Sequence, residues 1–301
     1  MKADEIPAFY DDAYAAAYDE TFIHDAGYRD TPAFEVDVLR RLLHPDAAWL
    51  DVGCGTGYFL SQFQEADRAG LDLSPAMARL AAERNPTARF IREGDFRTPR
   101  PDWVDAWDVV SCMWCAYSYL ETMDEVDQLL TNLADWTAPG GALFLPLCDI
   151  EDVTHMRASL PDNVAELDLL GLGHSTLDAV VWSYTDAVNG KAHRYLLSPH
   201  INHLTGRLKE HFERVDVVYY PPFHEPVPGQ RKALVAAGKR GPVSDRLREE
   251  LDAIQQASRE HRARVLTVAD AASRQRGWLR RAWAVLPSPL QQAVRKAIGE
   301  G

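Results

Sequence analysis

Asp51-Val52-Gly53-Cys54-Gly55-Thr56-Gly57 is the stretch of this 301-residue chain whose residue types and spacing most directly specify chemistry. Glycines at alternate positions let a backbone bend sharply and let a ligand lie against it. A helical segment follows, and the N–H groups of its first turn have no intrahelical partners. A dinucleotide loop would read GxGxxG, with room for a pyrophosphate. Here the third glycine arrives one residue early, and Tyr58 fills the expected place. Asp51, two residues before the first glycine, would oppose a phosphate and attract a cationic amino group. The loop therefore suits a nucleoside bearing an amino acid better than a dinucleotide. Asp72, fifteen residues after Gly57, closes a second apolar run, where a carboxylate can accept hydrogen bonds from both ribose hydroxyls. Asp95 and Phe96 close a third run. There the acid can accept from an exocyclic adenine amine or simply cap a helix, and the ring can stack on a base.

These residues need strands to carry them. AWLDVG (48–53), AGLDL (69–73), ARFIREGD (88–95), WDVVSCMW (107–114) and GALFLPLC (141–148) are short apolar runs, the last introduced by Ala138-Pro139-Gly140-Gly141. Helical segments separate them. Ser74 can cap one, with Pro75 at its first position. Val126, Leu129, Leu130 and Leu133 recur at helical spacing in another. Strands alternating with helices predict a parallel sheet in an α/β fold. After residue 150 the pattern changes. Residues 180–199 read as a hairpin turning at Asn189-Gly190. A helix from about Leu204 to His211 follows, and then RVDVVYY (214–220) and RKALVAAG (231–238), which would end the sheet as an antiparallel pair.

The segments LDVGCGTGYF, GLDLSPAMARLA, EGDF and APGGALFL, in that order over about residues 45–150, resemble class I S-adenosylmethionine-dependent methyltransferases. The resemblance implies a Rossmann-like, mostly parallel seven-stranded sheet with its last strand antiparallel. It implies S-adenosyl-L-methionine as cofactor, held by Asp51, Gly53, Gly55 and Gly57 at the methionine portion. Asp72 would hold the ribose and Asp95 with Phe96 the adenine, and Cys54, Leu73 and Met113 are further cofactor-binding candidates. FYDDAYAAAYDE resembles the tyrosine-bearing lead helix of many such enzymes, which makes Tyr18, with Tyr10, a candidate to cover the cofactor. On this reading residues 1–240 form the methyltransferase domain, about 150–210 are an insertion capping the acceptor side, and 241–301 are a helical extension.

Methyl transfer from a sulfonium is an in-line displacement with a neutral leaving group, so positioning carries most of the catalysis. A base is needed only when the acceptor arrives protonated. His200 and His203, which share a face if helical, and Tyr117 are the catalytic candidates. Trp114, Ser118, Tyr119, Asp149, His155, His193 and Arg194 stand in the same acceptor-building stretches. No carboxylate cluster follows the fourth run, which favours a metal-free site. The layout from Tyr117 to Leu145 is similar to bacterial sugar and secondary-metabolite methyltransferases. The acceptor expected from it is a small molecule, a sugar or glycan intermediate, with a hydroxyl ahead of an amine. A non-sugar natural product, or a non-catalytic cofactor-binding partner protein, are the alternatives.

Composition excludes other classes. Hydrophobic residues make up 46% and charged residues 26%, so the chain is not broadly disordered. The net charge of −13 argues against a nucleic-acid partner. No apolar run approaches the ~20 residues of a membrane span. The opening MKADEIPAFYDD lacks the apolar core of a secretory signal, so a cytoplasmic protein is expected. Cys112 and Cys115 have CxxC spacing, but on a strand they would point to opposite faces and pack as apolar side chains. Residues 241–301 carry 11 Lys/Arg against 7 Asp/Glu and open with a heptad-like seam from Leu247 to Ala272. That seam reads as a helix packed on the domain, as a homodimer seam, or as a docking element for a membrane surface or protein partner.

Overall fold

The computed structural model describes residues 3–24, 30–148, 178–186, 190–222 and 230–285, with side chains up to residue 267. Seven strands form one sheet in the order β3-β2-β1-β4-β5-β9-β8. They are β1 (Ala48–Val52), β2 (Asp67–Asp72), β3 (Phe90–Glu93), β4 (Trp107–Ser111), β5 (Thr137–Leu147), β8 (Phe212–Tyr219) and β9 (Lys232–Lys239). β1 to β5 pair in parallel, while β9 runs antiparallel to both β5 and β8. The expected Rossmann-like sheet with an antiparallel last strand is therefore present. The hairpin is also present, as β6 (Ala179–Thr185) and β7 (Ala192–Pro199) in a separate two-stranded sheet.

Alternation along the central strands builds two cores. Leu50 and Val52 of β1 and Leu234 and Ala236 of β9 face one layer, with α6 (Met123–Trp136) and α7 (Ile201–Lys209) above them. Trp49, Val109, Val235 and Ala237 face the other, against α3 (Asp30–Leu42), α4 (Tyr58–Ser61) and α8 (Asp245–Val285). Both faces are covered, which is why these strands read as nearly continuous apolar runs. α5 (Pro75–Arg84) begins as the sequence predicts, with the Ser74 hydroxyl accepting from the Met77 N–H at 3.2 Å.

Two strand boundaries differ from the sequence reading. β4 stops at Ser111, and Met113–Tyr119 form 3-10 turns in place of strand, with Trp114 and Cys115 in left-handed backbone. β5 starts at Thr137 and absorbs Gly140, at φ 78°, as a bulge against β4. Beyond residue 240, Val243, Leu247, Leu251 and Ile254 share one apolar cluster with Trp49 and Val235. The seam of α8 is anchored on this chain. The Ser258 hydroxyl accepts from the Tyr219 N–H at 2.9 Å, and Arg41 pairs with Glu250 at 3.0 Å. No helix among the described residues is long and apolar enough to cross a membrane.

Candidate active site

The carboxyl ends of β1, β2 and β4 open into a cavity, which is where a parallel α/β sheet places ligands. It is lined by Gly53, Gly55, Asp72, Leu73, Asp95, Phe96 and Met113 from the strand-end segments. Ala3, Ile6, Tyr10 and Tyr18 line it from the N-terminal helices α1 (Ile6–Phe9) and α2 (Asp12–Tyr18) and the chain beside them. Trp114, Ala116, Tyr119 and Leu120 close it from the turns after β4.

The glycine loop is left-handed at all three glycines, with φ of 66°, 55° and 70° at Gly53, Gly55 and Gly57. They serve different ends. A Cβ on Gly57 would lie 2.8 Å from the Ala81 Cβ of α5, so that glycine lets a helix pack closely. A Cβ on Gly55 would meet nothing within 4 Å, so its bare face borders open space. The Asp72 carboxylate is pinned by two backbone N–H groups, of Gly55 and Ser74, each at 2.8 Å. A carboxylate has about four lone-pair sites, so two stay available to a ligand's hydroxyls. Burial raises Asp72 to about 6 against these bonds.

Asp51 lies behind the loop, off the cavity wall, and only 1% exposed. Its Oδ1 accepts from the Ser111 hydroxyl at 2.6 Å, and Oδ2 is buried with no hydrogen-bond partner among the described residues. Burial, with added repulsion from Asp72 and Glu35, raises it to about 8. A buried oxygen left so is costly unless a donor meets it. The bare Gly55 face and the half-used Asp72 fit a ribose-bearing ligand laid against the loop, with the Asp51 acid buried behind it. Asp95 is less free. Arg97 grips both its oxygens at 2.6 to 3.0 Å, and the Arg97 N–H donates to Oδ1 at 2.8 Å. Burial pushes Asp95 up, but these contacts outweigh it and hold the acid below its ordinary value. Asn132 donates to the Phe96 and Arg97 carbonyls, which fixes the Phe96 ring at the wall.

Of the residues assigned to the cofactor, the structure brings Tyr18, Gly53, Gly55, Asp72, Leu73, Asp95, Phe96 and Met113 onto the cavity. It leaves Asp51, Cys54 and Gly57 behind it. The three catalytic candidates are not on the wall. The His200 ring caps α7, its Nδ1 accepting from the Asn202 N–H at 3.1 Å. His203 Nε2 pairs with Asp127 of α6 at 2.7 Å. Tyr117 is buried, and its hydroxyl exchanges hydrogen bonds with the backbone of Cys148. The shared helical face expected for the two histidines is absent, because His200 is the extended N-cap residue before α7 and only His203 meets α6. Asp149 and His155 lie outside the described residues.

In their place the structure assembles Tyr119 and His193 with Tyr10 and Tyr14. The Tyr10 and Tyr119 hydroxyls lie 2.5 Å apart, His193 Nδ1 is 2.6 Å from the Tyr119 hydroxyl, and Nε2 is 3.1 Å from that of Tyr14. Burial raises the phenols of Tyr10 and Tyr119, so both stay protonated near neutral pH. Tyr14 was not among the sequence candidates, although Tyr10, Tyr14 and Tyr18 recur every four residues, the spacing of one helical face. Glu35 was also missed. It is buried between the Trp114 indole N–H at 2.7 Å and the Tyr220 hydroxyl at 2.9 Å, and burial raises it to about 7. It braces Trp114, whose φ of 50° is a strained conformation beside the cavity. The described residues hold no group of three or more His, Cys, Asp or Glu able to bind a metal ion.

Residues 50–141 match the methyltransferase domain family. A dTDP-4-amino-2,3,4,6-tetradeoxy-D-glucose N,N-dimethyltransferase of Saccharopolyspora spinosa is 38% identical over 142 residues, covering 46% of this chain and 55% of that protein. A dTDP-3-amino-3,4,6-trideoxy-alpha-D-glucopyranose N,N-dimethyltransferase of Streptomyces venezuelae is 31% identical over 137 residues, covering 44% and 56%. The chain thus spans about half the length of the curated relatives it matches. The crystal structure of DesVI of Streptomyces venezuelae superposes with a TM-score of 0.51 at 21% identity, over 74% of this chain and 98% of that one, which shows a common fold.

Proposed function

We propose, from the premise that residues 50–141 of this chain are a class I methyltransferase domain, that the protein methylates the amino group of a sugar-related small molecule with S-adenosylmethionine. When bound, that cofactor supplies a methyl group activated by a sulfonium. The observation that carries the reading is the junction of two unlike walls in one cavity: a bare glycine loop with buried acids, and a cluster of neutral phenols.

The acceptor follows from which protons the chain can take. A hydroxyl must lose its proton to become a good nucleophile. The acids lining the described cavity are Asp72, held by two N–H groups, and Asp95, held by Arg97. The histidines expected to serve as bases point elsewhere. Tyr10 and Tyr119 are raised by burial and are poor proton acceptors for a hydroxyl. An ammonium gives its proton to water far more readily than a hydroxyl does, and the product sheds its extra proton the same way. The amine that reaches the cavity neutral therefore owns its lone pair and needs only to be aimed, which is what a wall of hydrogen-bonding phenols does. The hydroxyl preference read from the sequence therefore gives way to an amine. Two relatives whose names state an amino-sugar dimethylation support the same choice.

The test is incubation of the purified chain with labelled cofactor and a panel of nucleotide-linked amino sugars, their hydroxyl counterparts and simple phenols. Mass spectrometry should find one or two methyl masses gained on the amino sugars alone. Gain on a hydroxyl counterpart, or on none of the panel with cofactor bound, would refute the assignment.

A further inference from the structure

We infer that His193 is a positioning residue for the acceptor, because the tautomer it adopts sets the direction in which the Tyr10–Tyr119 hydrogen bond runs at the cavity wall. The inference rests on the amine reading above and adds to it a side chain off the wall.

The imidazole is held in one orientation. His193 of β7 is the cross-strand partner of Tyr184 of β6, and the two rings stack at 4.3 Å and 4°. The Phe9 ring meets it edge-on at 4.8 Å. Lys191 of the same hairpin donates to the Phe9 carbonyl at 2.7 Å and pairs with Asp11 at 3.1 Å, which ties the hairpin to the N-terminal helices. Burial, helped by Lys191 and opposed by Asp186, lowers the ring to about 4, and it is neutral at pH 7.

A neutral imidazole has one donor and one acceptor nitrogen, so the chain Tyr14–His193–Tyr119–Tyr10 has two directions. With the proton on Nδ1, His193 donates to the Tyr119 oxygen and Tyr119 donates to Tyr10. The Tyr10 O–H is then left to donate into the cavity, where it would occupy the lone pair of an amine. With the proton on Nε2, Tyr14 accepts, Tyr119 donates to Nδ1 and Tyr10 donates to Tyr119. Both wall phenols then present only lone pairs. They can accept the N–H bonds of an amine and leave its own lone pair directed at the methyl group. The productive state is the Nε2–H tautomer.

Nitrogen-15 spectra of the histidine-labelled chain should show His193 neutral at pH 7 with its proton on Nε2. Tyr119→Phe, which removes the hydrogen bonded to Nδ1, should shift that signal toward a mixture of tautomers. A dominant Nδ1–H tautomer in the unaltered chain overturns the inference whether or not the protein methylates amines. In turnover, His193→Phe keeps the ring stack and loses both hydrogen bonds. It should lower kcat on the amino sugar roughly ten- to a hundredfold, with calorimetric cofactor affinity unchanged. His193→Asn, whose amide oxygen can stand near the Nδ1 position, should recover most of that loss. Wild-type kcat in the Phe variant, or equal losses in both variants, would count against the assignment. An unaltered chain that methylates no amine would instead sink the proposed function, while the tautomer still decides the role of His193.

Discussion

The two walls of the cavity are built by opposite strategies. The glycine-and-acid wall comes from residues 53–96, each placed immediately after a strand of one parallel sheet. The phenol wall is stitched from residues 109, 74 and 179 positions apart, linking the first helices, the turn after β4 and the hairpin. The first wall holds Asp72, raised to about 6, and is backed by the buried Asp51, raised to about 8. The second holds a histidine lowered to about 4. Burial drives all three in the direction that neutralises the group, while Asp95 on the first wall stays ionised against Arg97. The difference is one of composition: the first wall offers carboxylates and bare backbone, and the second offers neutral phenols.

The comparison breaks most visibly at Asp72. Asp72→Ala removes the carboxylate proposed to accept from the ribose and frees the Gly55 and Ser74 N–H groups. Each hydrogen bond to a charged group is worth about 1.5–3 kcal/mol. Cofactor affinity should fall about a hundredfold or more by calorimetry, while His193→Phe leaves it unchanged. Equal affinity in the Asp72 variant would remove that residue from the site.

A smaller effect separates the walls by pH. The folded values of Asp51, Glu35 (about 7) and Asp72 lie above those of an unfolded chain. The folded state therefore holds more protons, and its stability should be lost as pH rises through these values. His193 has the opposite sign, since its folded value lies below the usual 6.5 and stability is lost as pH falls from there toward 4. Above pH 6.5 the acids act alone. The ligand-free chain should melt ~2–5 °C lower at pH 8.5 than at pH 6.5. Asp51→Asn should flatten that slope, and His193→Asn should flatten only the acid side. A melting temperature that rises from pH 6.5 to 8.5 would contradict the buried-acid account.

The smallest effect is expected where the sequence placed its bases. His200→Ala and His203→Ala should leave turnover within about twofold, because neither ring reaches the cavity. His203→Ala gives up a partly exposed pair with Asp127, worth about 0–1 kcal/mol. A tenfold drop in kcat with either would bring these histidines back to the chemistry.

Legibility followed the same division. The parallel strands, the capped start of α5 and the approach of Gly53, Gly55 and Asp72 were readable because a glycine or an acid directly after an apolar run has few places to go. The end of β4 was not readable. WDVVSCMW is apolar throughout, and only its packing shows that the chain turns through left-handed residues at Trp114 and Cys115. The tyrosines at 10, 14 and 18 announced a face, though nothing in their spacing says that a hairpin histidine would meet it.

Residues 48–96 by themselves determined the sheet's first strands and the acids at their ends, because in a parallel α/β unit position along the chain is position in space. Only the tertiary structure decided that Tyr119, backed by His193, meets the cavity and that His200 and His203 do not. Hydrogen bonds between residues this distant depend on how a hairpin, a helix and a strained turn close on one another, and no local pattern of residue types encodes that closure.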